Sequence, residues 1–301
     1  MVLDAGDLLF KKYAGSILEN ESKGITQKAY LIIDSLNLMG YDVLGIGDDD
    51  LSLGKDFLLE ISKKANFPFV SSNIIGEESG KLLFQPYLLK EVNGLKIGIF
   101  SLLSPDLFLS PSDFRKKGLI FRAPVETAQN MVKELQPKTD LIILLSHLGY
   151  QKDMELAQTV PGIHLIVGGH TGMNLSYPPI VKNTIILQTS SKGMYAGRID
   201  LIFYNHEPSF YNTMTKRPME NNLNFLNLRL GSKEASEADK TQWRKAKEEV
   251  ERSLQQFQGK NEFTNTLFPL EGQVKDLPNI QNLVDEYKSK YLETTKPLTP
   301  K

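Results

Sequence analysis

Leu141-Ile142-Ile143-Leu144-Leu145-Ser146-His147-Leu148-Gly149 is the stretch from which the fold can be read. Five consecutive apolar residues, with no polar alternation, describe a strand covered on both faces. The run then opens into a histidine with a glycine close behind it. The pattern recurs downstream, where Ile163-His164-Leu165-Ile166-Val167 runs into Gly168-Gly169-His170-Thr171-Gly172. Strands of this kind belong to sheets sandwiched by helices. In open α/β folds ligands gather beyond the carboxyl ends of the strands, so the residues that follow each strand carry the functional reading.

Working outward, strand and helix signals alternate. Val2 to Ala5 is a short apolar run ending in Gly6-Asp7. The periodicity of Ala29, Ile32, Ile33, Leu36 and Met39 predicts a helix over 26–39 that Gly40 stops. Asp42 to Ile46 is a buried strand leading into Gly47-Asp48-Asp49-Asp50, Phe57 to Lys64 a second helix, and Phe67 to Val70 a strand entry. Two apolar runs flank Asn93-Gly94, a strong hairpin signal. A helix is expected over 125–135 and another near 154–158, with closing strands at about 184–189 and 196–204. Together these predict an α/β sandwich. After Asn205 the character changes. Residues 234–257 form a charged helical stretch with sparse apolar Trp243, Val250 and Leu254, expected to pack back on the domain. Residues 261–278 signal weakly, 280–291 read as a short amphipathic helix, and the Thr/Pro/Lys-rich end is expected to fray. No internal repeat is visible.

The 301 residues carry 35 Lys and Arg against 36 Asp and Glu, a net charge of -1, with no long basic run, so a nucleic-acid footprint is not indicated. The absence of cysteine excludes disulfides, thiolate metal sites and a cysteine nucleophile within this chain. No stretch approaches the ~20 apolar residues of a membrane span. Met1-Val2-Leu3-Asp4 lacks the basic start and apolar block of a signal peptide and reads as the end of a buried strand, so an upstream segment is expected. On that reading the complete protein is expected in the periplasm; the chain taken as complete would be cytoplasmic.

Four strand ends carry metal-type side chains: Asp7, Asp48, His147 and His170. Two carboxylates and two imidazoles converging on one sheet edge suit Zn, Mn or Fe. Taken singly each is weak, since an Asp after a strand is ordinarily a cap or turn former. Of the four histidines, His164 lies inside an apolar strand and reads as packing, and His206 as a surface residue.

In order and spacing, six segments resemble the 5'-nucleotidase and UDP-sugar hydrolase branch of the calcineurin-like metallophosphoesterases. They are Leu3-Asp4-Ala5-Gly6-Asp7-Leu8-Leu9, Gly40-Tyr41-Asp42-Val43-Leu44-Gly45-Ile46-Gly47, Phe67-Pro68-Phe69-Val70-Ser71-Ser72-Asn73-Ile74, Ser146-His147-Leu148-Gly149, Gly168-Gly169-His170-Thr171 and Gly193-Met194-Tyr195-Ala196-Gly197-Arg198. The resemblance covers residues 1–204 and implies the family's four-layer α/β-β-α sandwich with mixed sheets, here a degenerate, N-terminally truncated catalytic domain. It implies that Asp7 is the metal-bridging carboxylate, that Asp48 stands where the family has an Asn ligand, and that His147 and His170 complete one metal's site. The other half departs from the pattern. The family's Asp-x-His motif belongs upstream of Asp7, and Gly172 stands where a second His of Gly-His-x-His should be. Asp49 replaces the catalytic His of Gly-Asn-His-Glu, and a carboxylate there repels a phosphate unless a metal or proton offsets it. One divalent metal per chain is therefore expected. The family's nucleobase-stacking domain is not recognisable, so residues 205–301 are expected to form a helical extension.

Three functions compete: a metal-dependent phosphoesterase-like hydrolase with an incomplete dinuclear site, acting on a small phosphoester or other anionic substrate; a catalytically inactive metal- or partner-binding domain on the same scaffold; and a sulfur-ester hydrolase resembling thiosulfohydrolases.

Overall fold

The computed structural model describes residues 1–10 and 19–291. The fraying expected of the Thr/Pro/Lys-rich end lies outside the described residues. The chain divides into two compact units: Met1–Ala196 together with the segment from Pro269 onward, and Gly197–Phe268.

The first unit opens with β1 (Leu3–Asp4), α1 (Glu19–Met39), β2 (Val43–Gly45), α2 (Gly54–Ser62) and β3 (Phe69–Val70). The three strands make a parallel sheet, β1-β2-β3. α1 begins before the Thr26 that periodicity marks. It buries Ala29, Ile33 and Leu36, one face of a helix, against Leu44 and Phe69 of the sheet and Leu58 and Ile61 of α2. Met39, at the helix end, is exposed.

β4 (Ile74–Gly76), β5 (Tyr87–Val92), β6 (Leu95–Leu103), β7 (Leu119–Phe121), α3 (Pro124–Leu135), β8 (Leu141–His147), α4 (Tyr150–Thr159), β9 (Leu165–Gly168), β10 (Ile180–Val181) and β11 (Thr184–Leu187) follow. Six of these strands form a mixed sheet in the order β10-β11-β9-β8-β6-β5, and β4 pairs with β7. The inner pairs are parallel and both edge pairs antiparallel. Asn93 and Gly94 both take positive φ, 52° and 82°, which is what a two-residue hairpin turn requires. Every residue of β8 is buried. Ile142 and Leu144 pack on Ala128, Val132 and Leu135 of α3 and Leu156 of α4. Full burial of each such side chain contributes roughly 1.5–3 kcal/mol. Alternate residues of β8 face the parallel sheet, where Gly45 sets the spacing. A Cβ there would stand 2.7 Å from Ser101 Oγ and 3.2 Å from Leu145 Cβ. Helices thus cover the outer faces of two stacked sheets, the four-layer arrangement expected. Near the end of the chain α7 (Pro278–Tyr291) lies against α1, with Tyr287 Oη donating to Gly24 O at 3.1 Å.

The second unit holds β12 (Tyr195–Ile202), which begins at its border, β13 (Phe210–Asn212), α5 (Thr213–Leu230), α6 (Glu237–Gln255) and β14 (Asn261–Pro269), with sheet order β12-β14-β13. The stretch after Asn205 is therefore not helical throughout. β14 runs through the weakly signalling residues, anchored by Asn261, whose fully buried amide binds Tyr204 N, Asn205 N and Glu207 O. α6 packs on α5 of its own unit, with the Arg229 guanidinium over both Phe225 and Trp243. Among the described residues no helix is long and apolar enough to cross a membrane.

Candidate metal centre

The parallel strands end together, and that brings the four sequence-predicted donors to one edge. β1 runs into Gly6-Asp7, β2 into Gly47-Asp48, β8 ends on His147, and His170 follows β9. One ligand-type atom from each of Asp7, Asp48, His147 and His170 lies within 4.8 Å of all the others. His147 Nε2 stands 3.0 Å from Asp7 Oδ2 and 3.4 Å from Asp48 Oδ1, and His170 Nδ1 is 3.3 Å from the same Asp48 oxygen. Donors bound at ~2.1 Å around one tetrahedral ion sit about 3.4 Å apart, and these three separations are of that order, the remaining pairs lying within 4.8 Å.

Three of the donors are fixed from behind. Asp7 Oδ1 accepts from Asp49 N at 2.8 Å, leaving Oδ2 turned inward. Asp48 Oδ2 accepts from Arg115 Nη1 at 2.7 Å, leaving Oδ1 turned inward. His147 Nδ1 is 2.9 Å from Ala5 O, so donation there presents Nε2 to the cluster. Among the described residues three buried side-chain atoms have no hydrogen-bond partner, and two of them, Asp48 Oδ1 and His147 Nε2, face one another inside this cluster. Buried polar atoms without a hydrogen bond are rare because desolvation is costly; a divalent ion between them would satisfy both. Asp7 and His170 hold left-handed backbones, φ 63° and 64°, a strain that persists only where the surroundings impose it.

The three consecutive aspartates have three different jobs. Asp48 faces the cluster. Burial pushes its carboxyl up, but contact with His147 and His170 and the nearby Arg115 outweigh this and hold it well below the usual range. Asp49 donates its backbone N–H to Asp7, and its Oδ1 accepts from Arg115 Nη1 at 2.8 Å. Asp50 is fully buried and accepts three backbone N–H groups, from Asp7 (2.8 Å), Leu9 (3.1 Å) and Gly47 (2.9 Å). Burial and the charge of Asp7 push it up to about 7. His147 behaves oppositely: burial disfavours its cation, but Asp48 and Asp7 overcome this and raise its pKa well above the ordinary value.

Arg115 was not legible in the sequence. It lies in a polar loop among surface lysines, with no strand end or periodicity to mark it. The structure buries it completely. Nη1 bridges Asp48 and Asp49, Nη2 and Nε hold Asp113 at 2.9 and 3.1 Å, and the guanidinium lies 5.0 Å from the Phe108 ring centroid. The sequence reading left Asp49 repelling a phosphate unless a metal or proton offset it; this guanidinium also offsets it. Gly172 offers no donor, and a Cβ there would sit 3.0 Å from Ser191 Cβ. His206 is exposed, as expected, and His164 stands immediately before β9 rather than within it, half-buried. Its Nδ1 accepts from Ile142 N at 2.7 Å, and burial lowers its pKa to about 4.

Asp153 is a further buried carboxyl that the sequence did not single out. Ser146 Oγ donates to its Oδ1, Oδ2 has no partner, and burial pushes the group up to about 7. The folded chain therefore keeps this proton across a range, about 3.8 to 7, in which the unfolded chain has lost it. The stabilisation is complete below the lower value and lost as pH rises through the upper one. Asp153→Asn should flatten the pH dependence of stability between about pH 4 and 7 by an amount of order a few kcal/mol, measured by urea unfolding in chelator. Identical slopes in the two proteins would contradict this.

Helix-covered stacked sheets, with two carboxylates and two imidazoles meeting where the strands end, define a metal-dependent phosphoesterase scaffold. Comparison with known proteins agrees. The trifunctional nucleotide phosphoesterase YfkN of Bacillus subtilis (strain 168) is 31% identical over 241 aligned positions, covering 67% of this chain and 16% of that protein. The solved 5'-nucleotidase precursor of Thermus thermophilus is 30% identical, covering 69% of this chain and 42% of that one, with a TM-score of 0.55. The Thermus thermophilus sulfate thiohydrolase SoxB, solved with glycerol, superposes over 97% of this chain and 43% of its own with a TM-score of 0.69; at 20% identity that likeness speaks for the fold alone. No protein-family model matches. The chain belongs to the 5'-nucleotidase branch of the metallophosphoesterase superfamily. It spans between 16% and 43% of the length of these three relatives.

Proposed function

We propose that the chain is a metal-dependent phosphoesterase-type hydrolase working from a single-ion half-site made of Asp7, Asp48, His147 and His170. The observation that carries this reading is the four-donor cluster, at whose centre the buried Asp48 Oδ1 and His147 Nε2 face one another 3.4 Å apart without a hydrogen bond. Two imidazole and two carboxylate donors suit Zn, Mn or Fe. Bound there, a divalent ion supplies Lewis-acid polarisation of a phosphoryl group. The residues do the rest. Asp7 and Asp48 each give one oxygen, His147 is oriented by Ala5 O, and Asp49, its charge shared with Arg115, stands beside Asp7 rather than as a free anion. The substrate class is a small phosphoester, by likeness to the nucleotide phosphoesterases above. Gly172, in place of a further donor, supports one ion per chain.

The test is metal content together with turnover. Purified protein should take up about one Mn or Zn ion and hydrolyse p-nitrophenyl phosphate or a 5'-nucleotide. His147→Ala should lower both uptake and rate by at least ~100-fold. Uptake of an ion with no turnover of phosphomonoesters or diesters would reject hydrolysis. It would leave the second reading, a metal-binding domain, which the missing donor at Gly172 favours.

Ion affinity should also depend on pH. Asp48 and Asp7 keep a proton on His147 that the ion must displace. Affinity is therefore expected to rise with pH, by up to about tenfold per unit for each proton released, until His147 is neutral unaided. Zinc titrations in buffers of different ionisation enthalpy would count that proton; a flat profile from about pH 6 to 8 would refute the linkage.

A further inference from the structure

Arg115 is buried beside the cluster and reaches it through Asp48. Its Nη1 holds Asp48 Oδ2 at 2.7 Å, whereas Asp48 Oδ1 accepts no hydrogen bond and faces His147 and His170 at 3.4 and 3.3 Å. The guanidinium is in turn locked by Asp49 and by both oxygens of Asp113, whose carboxylate also accepts from Arg115 N and Leu109 N. Its side chain is 2% exposed. A free carboxylate can grip an ion with both oxygens, and large hard cations such as Ca²⁺ exploit this to collect six to eight oxygen ligands. Asp48 cannot do so while Arg115 owns one oxygen.

On the metal-centre reading above, we propose that Arg115 is the positioning and specificity-determining residue of this site: it confines Asp48 to one ligand oxygen and offsets part of its charge, so that the centre takes a small transition ion of low coordination number and rejects Ca²⁺. Planarity matters here, because one fork must face Asp48 and Asp49 while the other faces Asp113. Lysine, a single point charge, cannot hold both sides.

The test is a set of titrations with Zn²⁺ alone and Ca²⁺ alone, read calorimetrically, on the wild type, Arg115→Lys, Arg115→Met, Asp48→Asn and the double variant Asp48→Asn/Arg115→Met. The wild type should bind Zn²⁺ and bind Ca²⁺ far more weakly. Arg115→Lys should lose ~10–100-fold in Zn²⁺ affinity and narrow the Zn²⁺-to-Ca²⁺ ratio, and Arg115→Met should do so further. Asp48→Asn alone should bind Zn²⁺ weakly, because the guanidinium claims the one amide oxygen and leaves the N–H₂, which only donates, facing the ion. The double variant should recover Zn²⁺ affinity relative to Arg115→Met, because an amide offers one oxygen without needing a cationic partner. If Arg115→Met does not fold, Arg115→Lys and Asp48→Asn still decide. Wild-type protein that binds no Zn²⁺ overturns the metal centre and this proposal with it. Zn²⁺ bound by the wild type, with Arg115→Lys unchanged in affinity and ratio, overturns the proposal alone.

Discussion

Gly47→Ala should leave the chain unable to hold a divalent ion. A Cβ at this position would lie 2.1 Å from Asp7 Oδ1, 2.6 Å from Asp7 N and 2.7 Å from Asp7 Cγ. These are neither flexible tips nor open space: Asp7 Oδ1 is the oxygen that Asp49 N–H holds. Gly6 blocks the retreat, since a Cβ at its own position would stand 2.2 Å from Gly47 N. The two loops therefore meet backbone to backbone, and one added methyl must push the Asp7 carboxylate out of the cluster. A loss of more than ~100-fold in Zn²⁺ affinity is expected, with about 1–3 kcal/mol of overpacking. Gly94→Ala is the control. It too has positive φ, 82°, but nothing lies within 4 Å, so it should cost about 1 kcal/mol and leave ion affinity alone. Equal Zn²⁺ affinity in Gly47→Ala and wild type would show that the loops yield more easily than their contacts suggest.

Asp50→Ala is expected to be the most destabilising single change around the site. It would leave the N–H groups of Asp7, Leu9 and Gly47 without their acceptor, two of the three bonds being buried and the third partly so. Each unmade buried hydrogen bond costs roughly 1–3 kcal/mol, so a loss of about 3 kcal/mol or more is expected in urea unfolding. Asp50→Asn should fall between, because an amide has one accepting oxygen where the carboxylate uses two. An alanine variant within about 1 kcal/mol of wild type would mean that these N–H groups find other partners.

What was legible in the sequence was what local chemistry dictates. The unbroken apolar run at 141–145 marked a doubly covered strand. Asn93-Gly94 marked the hairpin, and glycines beside Asp7, Asp48 and His170 marked sharp turns at strand ends. The four donors were found because each sits immediately after such a strand, and parallel strands bring their ends together. Arg115 was not legible because nothing local requires it. Its meaning comes from Asp48 and Asp49, far back in the chain, and from Asp113, whose capping of its own short turn looks like any other. The triple aspartate read as a block of negative charge, but the fold separates it into a donor, a bridge and a backbone anchor. β14 escaped because its anchor is Asn261, a residue that propensity places in turns, here used to tie down a neighbouring loop. α5 went unread because its apolar residues are scattered around it and Pro218 interrupts the pattern.

The four donors are not equally rooted. His147 is buried completely, Asp48 nearly so, and both are clamped from behind, whereas the His170 side chain is 33% exposed on a left-handed turn. Its loop is tied back through Gln188, which reaches Gly169 O at 2.6 Å and Thr171 Oγ1 at 2.9 Å. An ion held as proposed would therefore have three donors fixed from behind and one at the solvent edge, and its exchange with solvent would run through the His170 turn and the tether to Gln188.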